Sequence, residues 1–146
     1  MNLNRDMIVK RFEKLDDLLQ KLNEFKKISK EKFLKDTTIQ LSAQRALEVC
    51  INICIDVGSH ILSLSKTGTP ETYSQIFEKL EVLKIIDAKR KASLVEMIKF
   101  RNLLGHLYME IDNETMYEII KTKLDVFNSF KKDIYSKFKS DLLNEK

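Results

Sequence analysis

The chain has little of what a β-sheet protein or a cysteine-ligated metal site requires. Its 146 residues include three glycines, one proline, two cysteines and no tryptophan. All-β proteins need many turns, and glycine and proline favour turns, so their scarcity argues against that class. A zinc site needs more ligands of suitable spacing than this sequence places near Cys50 and Cys54. These two thiols are predicted to pack as small hydrophobic groups on one helix face, and no metal or cofactor is expected.

The remaining composition is typical of long amphipathic helices. Charged residues make up 33% of the chain and hydrophobic residues 43%, a balance that also argues against disorder. The length fits one core, so residues 1–146 are predicted to form a single all-α domain. The formal charge of +4 permits a polyanionic partner without requiring one, because 22 acidic residues are interspersed among the basic ones.

Apolar periodicity and capping residues predict four long helices and one short helix. The first runs from about Asn4 to Ser29, and the second begins between Glu31 and Thr37 and ends near Ser65. The later boundaries are Thr69 as N-cap and Pro70 as first residue of a short third helix, Asp87 as N-cap of the fourth, Asp112 or Asn113 as N-cap of the fifth, and a frayed tail over 140–146.

The second helix is apolar nearly all round from residue 46 to residue 64, so neighbouring helices or a second subunit must cover it. One polar stripe interrupts it at steps of four residues, formed by Glu48, Asn52, Asp56 and His60. Two interpretations are open. The stripe lines a cleft or a subunit seam, or it faces water or is satisfied within the chain, for example by Arg45.

No membrane span is predicted, because the same polar stripe interrupts the longest apolar run. No signal peptide is predicted either, since Met1 is followed by polar and charged residues without an apolar stretch. A cytoplasmic location is therefore expected.

The segment with the most chemistry is Arg101-Asn102-Leu103-Leu104-Gly105-His106-Leu107-Tyr108. Arginine binds phosphate oxygens, and histidine transfers protons near neutral pH. In RNA cleavage a base takes the 2′-hydroxyl proton, and an acid protonates the leaving 5′-oxygen. His106 suits either transfer, and Arg101 suits the phosphate. Asn102 could hold a phosphate or cap the helix, and Tyr108 could hydrogen-bond the scissile group or stack on a base.

The spacing of Arg101 and His106 raises a geometric question. Five residues apart on a regular helix, the two side chains would point roughly 140° from each other. Gly105, directly before His106, is a natural place for the helix to end or bend, which would bring the imidazole back toward the guanidinium. A helical glycine that permits close packing is an equally simple interpretation.

The segment resembles the Arg-x4-6-His motif of the HEPN superfamily of α-helical proteins. More narrowly, Arg101-Asn-x-x-x-His106-x-Tyr108 is similar to the motif of its HepT-like toxins. The resemblance extends over roughly residues 5–138. Three further stretches fit the pattern, namely Asp56-Val-Gly-Ser-His60-Ile61, Pro70-Glu-Thr-Tyr73 and Phe100-Arg-Asn-Leu-Leu-Gly-His.

The resemblance implies an up-and-down helical bundle that forms a homodimer, with two motifs meeting in a shared cleft. It implies a metal-independent endoribonuclease that acts as a toxin, with Arg101 and His106 as catalytic residues. The implied partner is a minimal nucleotidyltransferase antitoxin that can transfer AMP to Tyr108. Placing Asp56 and His60 in the cleft is a separate inference from the polar stripe.

A non-catalytic function is the alternative. In that case the helical protein is a nucleotide- or substrate-binding subunit of a nucleotidyltransferase, and the Arg-His-Tyr segment holds a nucleotide or phosphate. A structural dimer whose motif only caps a helix is a third possibility. Growth arrest that depends on His106 would favour the enzyme.

Overall fold

The fold is an assembly of α-helices. The computed structural model describes residues 2–104 and 112–143, and no strand occurs within those two ranges. The helices are α1 (Arg5–Phe25), α2 (Lys30–Lys35), α3 (Thr37–Ser63), α4 (Tyr73–Val82), α5 (Ala88–Leu104), α6 (Asn113–Thr122), α7 (Asp125–Lys137) and α8 (Lys139–Leu143). The all-α prediction is confirmed, but the described ranges contain eight helices where five were predicted.

A short additional helix lies between the first two predicted helices, and the predicted fifth helix is divided. The Ser29 side chain accepts a hydrogen bond from the Lys32 N–H, so helix α2 begins at Lys30, five residues after the last residue of α1. The predicted fifth helix is interrupted after Thr122 and again at Phe138, giving α6, α7 and α8. Its predicted inner face is nevertheless buried throughout, at Ile120, Leu124, Phe127, Ile134 and Phe138.

The predicted start of the short helix at Thr69 and Pro70 is wrong. The N-cap of α4 is Thr72, whose hydroxyl accepts from the Gln75 N–H at 3.2 Å. The Gln75 side chain in turn binds the backbone, since its Oε1 accepts a hydrogen bond from the Glu71 N–H at 2.7 Å. This reciprocal pair satisfies helix N-terminal donors that Thr69 would leave unpaired. Helix α4 therefore begins at Tyr73.

The N-caps predicted for the last two long segments are confirmed. Asp87 accepts from the Arg90 N–H at 2.8 Å at the start of α5. Asp112 accepts from the N–H groups of Glu114 and Thr115 and from the Thr115 hydroxyl. The hydroxyl contact and the other hydrogen bonds hold the pKa of the Asp112 carboxyl below its ordinary value. A fixed cap therefore stands directly after residues 105–111.

Helix α3 is the central element. It contacts α1, α2, α4, α5 and α7, which supply much of the cover that its apolar surface requires. It is long and apolar enough to cross a membrane by length and composition alone, yet 61% of its most apolar window is buried within the protein. Edge-to-face aromatic pairs join the outer helices, with ring centroids 6.4 Å apart for Phe12–Phe130 and 6.0 Å for Phe77–Phe130.

The prediction of a frayed tail over residues 140–146 is wrong for residues 140–143. Residues 139–143 form α8, Leu142 is 1% exposed, and its carbonyl accepts from Arg5 Nε at 2.9 Å. Burial of one leucine and a hydrogen bond to the first helix explain this order. Residues 144–146 of the predicted tail lie outside the described residues.

Alanine at Gly58 is expected to destabilise the fold. A Cβ at this position would lie 2.7 Å from Ile76 Cγ2 and 3.3 Å from Leu80 Cδ1, so α3 and α4 would have to separate. Overpacking costs about 1–3 kcal/mol and alanine returns up to about 1 kcal/mol of helix propensity. Urea unfolding should show a net loss of about 1–2 kcal/mol. Exposed Ser59, changed to alanine, is the control, and equal stability of the two variants would contradict the close approach.

Candidate functional site

The Arg101 side chain joins three helices. It lies in the last turn of α5 and is partly buried. Its Nε donates a hydrogen bond of 3.0 Å to Oδ1 of Asn52 on α3. Its guanidinium carbon lies 4.8 Å from the ring centroid of Tyr73, the first residue of α4. The guanidinium is thus held at one edge by an amide and over one face by an aromatic ring.

Arg101 differs from the other four arginines in its partner. Each of the others forms an ion pair with a carboxylate, as Arg5–Asp6, Arg11–Asp56, Arg45–Glu48 and Arg90–Asp133. Within residues 2–104 and 112–143, Arg101 has no carboxylate within ion-pair distance, and its Nη atoms make no hydrogen bond. Among these residues, no carboxylate therefore competes with an anionic ligand for its positive charge.

Neither Asn52 nor Tyr73 was predicted as a site residue. Asn52 was recognised only as a member of the polar stripe, and Tyr73 only as part of a helix start. The regular spacing of the stripe was the available signal, because it placed an amide at the middle of the most buried helix. The pairing with Arg101, 49 residues away, leaves no local trace in the sequence.

The polar stripe is satisfied within the chain, as one of the two interpretations held. Glu48 contacts Arg45, as suggested, and Asp56 Oδ2 accepts from Arg11 Nε at 3.2 Å. The Nε2 atom of His60 accepts from the Asn4 backbone N–H at 3.0 Å, at the start of α1. The stripe therefore connects α3 to α1 and α5 rather than forming one cluster of free groups.

Asn52 and Asp56 also line a groove between α1 and α3, and their place in a functional cleft stays a prediction. The groove has a volume of about 350 Å³ and is lined by Lys10, Arg11, Lys14, Val49, Asn52, Ile53 and Asp56. Its α1 wall is basic, and its floor includes the amide that holds Arg101. His60 is not among the lining residues.

The rest of the predicted motif is only partly described. Asn102 is exposed and lies within α5, so its side chain is accessible next to Arg101. His106 and Tyr108, together with Gly105, lie in residues 105–111, outside the described residues. The question of a bend at Gly105 and the distance between Arg101 and His106 therefore stay predictions.

Comparison with known proteins identifies the family. Residues 15–134 match the family profile described as Ribonuclease HepT-like. The chain belongs to this family. The HepT-like resemblance of residues 101–108 predicted this family and is confirmed.

Two curated relatives of this HepT-like chain are named as nucleases. It is 28% identical over 98 residues to the mRNA nuclease HepT of Shewanella oneidensis, an overlap of 67% of this chain and 74% of the relative. It is also 28% identical over 126 residues to the tRNA nuclease HepT of Aphanizomenon flos-aquae, an overlap of 86% of each chain.

A solved structure shares the fold. It is the tri-AMPylated HEPN toxin of Shewanella oneidensis in complex with its MNT antitoxin, with a TM-score of 0.83 at 24% sequence identity. The match covers 93% of this chain and 99% of that chain. The HEPN-like architecture predicted from the motif is thereby confirmed.

The two cysteines of this HepT-like chain are structural. Cys50 and Cys54 are free thiols that are 0% and 1% exposed. Burial raises the pKa of Cys50 to about 12, and burial together with the neighbouring Cys50 raises the pKa of Cys54 well above its ordinary value. The prediction that they pack as small hydrophobic groups is confirmed. In the described part of the chain, no cluster of three His, Cys, Asp or Glu residues has a metal-binding arrangement.

Proposed function

We propose that this protein is a metal-independent endoribonuclease in which Arg101 and His106 are the catalytic residues. Its membership of the ribonuclease HepT-like family and the nuclease names of two relatives support the activity. The assignment of Arg101 rests on one observation, its hydrogen bond to the neutral side chain of Asn52. Four arginines have their charge compensated by a carboxylate, whereas Arg101 is held by a neutral amide. A guanidinium that is held by a neutral amide is suited to bind a phosphodiester.

The proposed reaction needs no metal ion. The 2′-oxygen of one nucleotide loses its proton and forms a bond to the adjacent phosphorus, while the bond from phosphorus to the 5′-oxygen breaks. His106 either takes the 2′-hydroxyl proton or donates a proton to the leaving 5′-oxygen, and water makes the other transfer. The Nη atoms of Arg101 stabilise the charge that develops on the non-bridging oxygens. The products are a 2′,3′-cyclic phosphate and a 5′-hydroxyl.

RNA would extend from Arg101 into the groove between α1 and α3. Lys10 and Lys14 give one wall positive charge, and Asn52 connects that groove to Arg101. Phosphates on either side of the cleaved bond need such cations. Asp56 would orient Arg11 at this wall, and exposed Asn102 would contact the substrate beside Arg101. The contribution of His60 would be indirect, through its hydrogen bond to the start of α1.

The protein would act in the cytoplasm as the toxin of a toxin–antitoxin pair. A homodimer would bring two copies of the motif to one cleft, as in the family pattern. The fold match is to a HEPN toxin that was solved with an MNT antitoxin and is tri-AMPylated. The neutralising partner here would be a minimal nucleotidyltransferase that transfers AMP from ATP to the Tyr108 hydroxyl and releases pyrophosphate. The added phosphates would repel RNA by charge and fill the cleft.

Incubation with total RNA tests this function. The purified protein is expected to cut RNA in the presence of EDTA and to leave 2′,3′-cyclic phosphate ends, which end-mapping detects. In a second arm, prior incubation with the nucleotidyltransferase and ATP should abolish cleavage and add adenylate to the peptide that contains Tyr108. Activity that disappears in EDTA, or 3′-hydroxyl ends, would contradict the mechanism.

A further inference from the structure

We infer that Asn52 and Tyr73 are positioning residues for Arg101, fixing its guanidinium so that both Nη atoms are left for the scissile phosphate. This inference rests on the proposed ribonuclease function and assigns two residues to it that the sequence motif does not contain. Neither residue needs to touch RNA for this role, because both act through Arg101.

The contact with Asn52 occupies Nε of Arg101 and leaves the end-on pair of Nη atoms for a phosphate. Nε of Arg101 donates to Asn52 Oδ1 at 3.0 Å. The two Nη atoms form a parallel pair of donors that can bind two oxygens of a phosphate. With Nε occupied, rotation about the last side-chain bonds is restricted, and the Nη pair has a defined direction. Preorganised donors act on a transition state without a cost of reorganisation at the moment of reaction.

The amide orients the guanidinium without neutralising it. An aspartate at position 52 would offer the same acceptor oxygen together with a negative charge, as Asp56 does for Arg11 and Asp133 does for Arg90. A carboxylate next to a guanidinium reduces its attraction for a phosphate, and the effect is larger where solvent is partly excluded. The amide of Asn52 therefore fixes the direction of the Arg101 guanidinium without reducing its positive charge.

The backbone under Asn52 is rigid. The residue lies in α3 between Ile51 and Ile53, which are 1% and 5% exposed. Helix α3 is packed against five other helices, so its backbone has little freedom in this region. The acceptor oxygen consequently has a fixed place relative to α5.

Tyr73 supplies the second constraint, over the face of the guanidinium. The distance of 4.8 Å from the guanidinium carbon to the ring centroid is within the range of cation–π contacts. Tyr73 begins α4 directly after the Thr72 N-cap, and α4 is seated against α3 where Gly58 meets Ile76. One edge and one face of Arg101 are thus held from two helices that are themselves packed together.

Substitutions at Asn52 separate positioning from a structural role. Asn52→Leu removes the acceptor at similar volume, and Asn52→Asp keeps it but adds charge. We expect kcat to fall about 10-fold to 100-fold for Asn52→Leu, with a smaller change in KM, because misaligned catalytic groups cost about this much. Asn52→Asp should retain the melting temperature yet cut RNA about tenfold more slowly, because its carboxylate neutralises Arg101. Asn128→Leu, an exposed site on α7, is the matched control.

Tyr73 is tested in the same assay. Tyr73→Phe keeps the aromatic face and is expected to cut RNA at close to the wild-type rate. Tyr73→Leu removes the face, and a loss of about fivefold in kcat is expected from the strength of a partly exposed cation–π contact. Loss of activity in Tyr73→Phe as well would mean that the hydroxyl, and not the ring face, is what the reaction needs.

The outcomes distinguish this inference from the proposed function. Wild-type protein that cuts no RNA would overturn both. If the wild-type protein cuts RNA and both Asn52→Leu and Asn52→Asp cut it as fast as the wild type per folded molecule, the positioning role alone is overturned. A wild-type rate in Asn52→Asp together with a slow rate in Asn52→Leu would support the hydrogen bond and overturn the requirement for a neutral side chain at position 52.

Discussion

Alanine in place of His106 is expected to reduce the rate of RNA cleavage by about 10²-fold to 10⁴-fold, the usual contribution of a positioned proton-transfer group. The imidazole is suited to this role because its ordinary pKa of about 6.5 lets it both accept and donate a proton near neutral pH. No other histidine follows Arg101 in the sequence. The measurement is the initial cleavage rate of purified dimeric or monomeric protein, normalised to the folded fraction from circular dichroism.

The chain offers an internal comparison for this result, because His60 is its only other histidine. Alanine at His60 removes the acceptor for the Asn4 N–H, and its indirect role predicts at most a few-fold loss of cleavage. The pH profile should separate the two histidines further, since the imidazole-dependent limb should disappear with His106 and persist without His60. His106→Ala protein that cuts RNA as fast as wild type would exclude the proposed chemistry.

Local signals in the sequence were sufficient for much of the fold. Asp87 and Asp112 were identified as caps because a capping carboxylate acts on N–H groups two or three residues away. The Arg45–Glu48 pair could be predicted because it is also local, since residues three apart share a helix face. The prediction of Thr69 as a cap rested on Pro70, which favours a helix start. The actual cap is Thr72, and the Gln75 side chain supports it.

Contacts between distant parts of the chain could not be predicted in this way. The partners of Arg101 lie on two other helices, and a heptad or capping pattern holds no information about which amide will meet which guanidinium. The end of α4 shows a second limit. Lys84 has a φ of 60° where glycine is the usual residue, and its N–H bonds to the Glu81 carbonyl at 2.8 Å. The motif at residues 101–108 identified the family, but its supporting contacts required the structure.

Alanine in place of Arg101 is expected to cost far more in cleavage than in stability. Removing a preorganised donor to developing charge reduces kcat by about 10²-fold to 10³-fold. The folded state loses one hydrogen bond to a neutral amide and one partly exposed cation–π contact, together about 1–2 kcal/mol. Arg101→Lys keeps the charge but has no Nε donor and no paired Nη atoms, so an intermediate rate is expected. Cleavage rates and urea unfolding on the same preparations measure both effects.

Arg90 on the same helix is the matched control, because its role is the reverse. Its Nε bonds to Asp133 on α7 at 2.8 Å, and both side chains are about three-quarters buried. Arg90→Ala leaves that carboxylate without its partner, so a stability loss of about 1.5–3 kcal/mol is expected with cleavage per folded molecule unchanged. Arg101→Ala protein with a collapsed melting temperature and unchanged specific activity would instead make Arg101 a second structural arginine. Two arginines on one helix thus test whether the neutral partner of Arg101 marks it as the residue that binds the substrate.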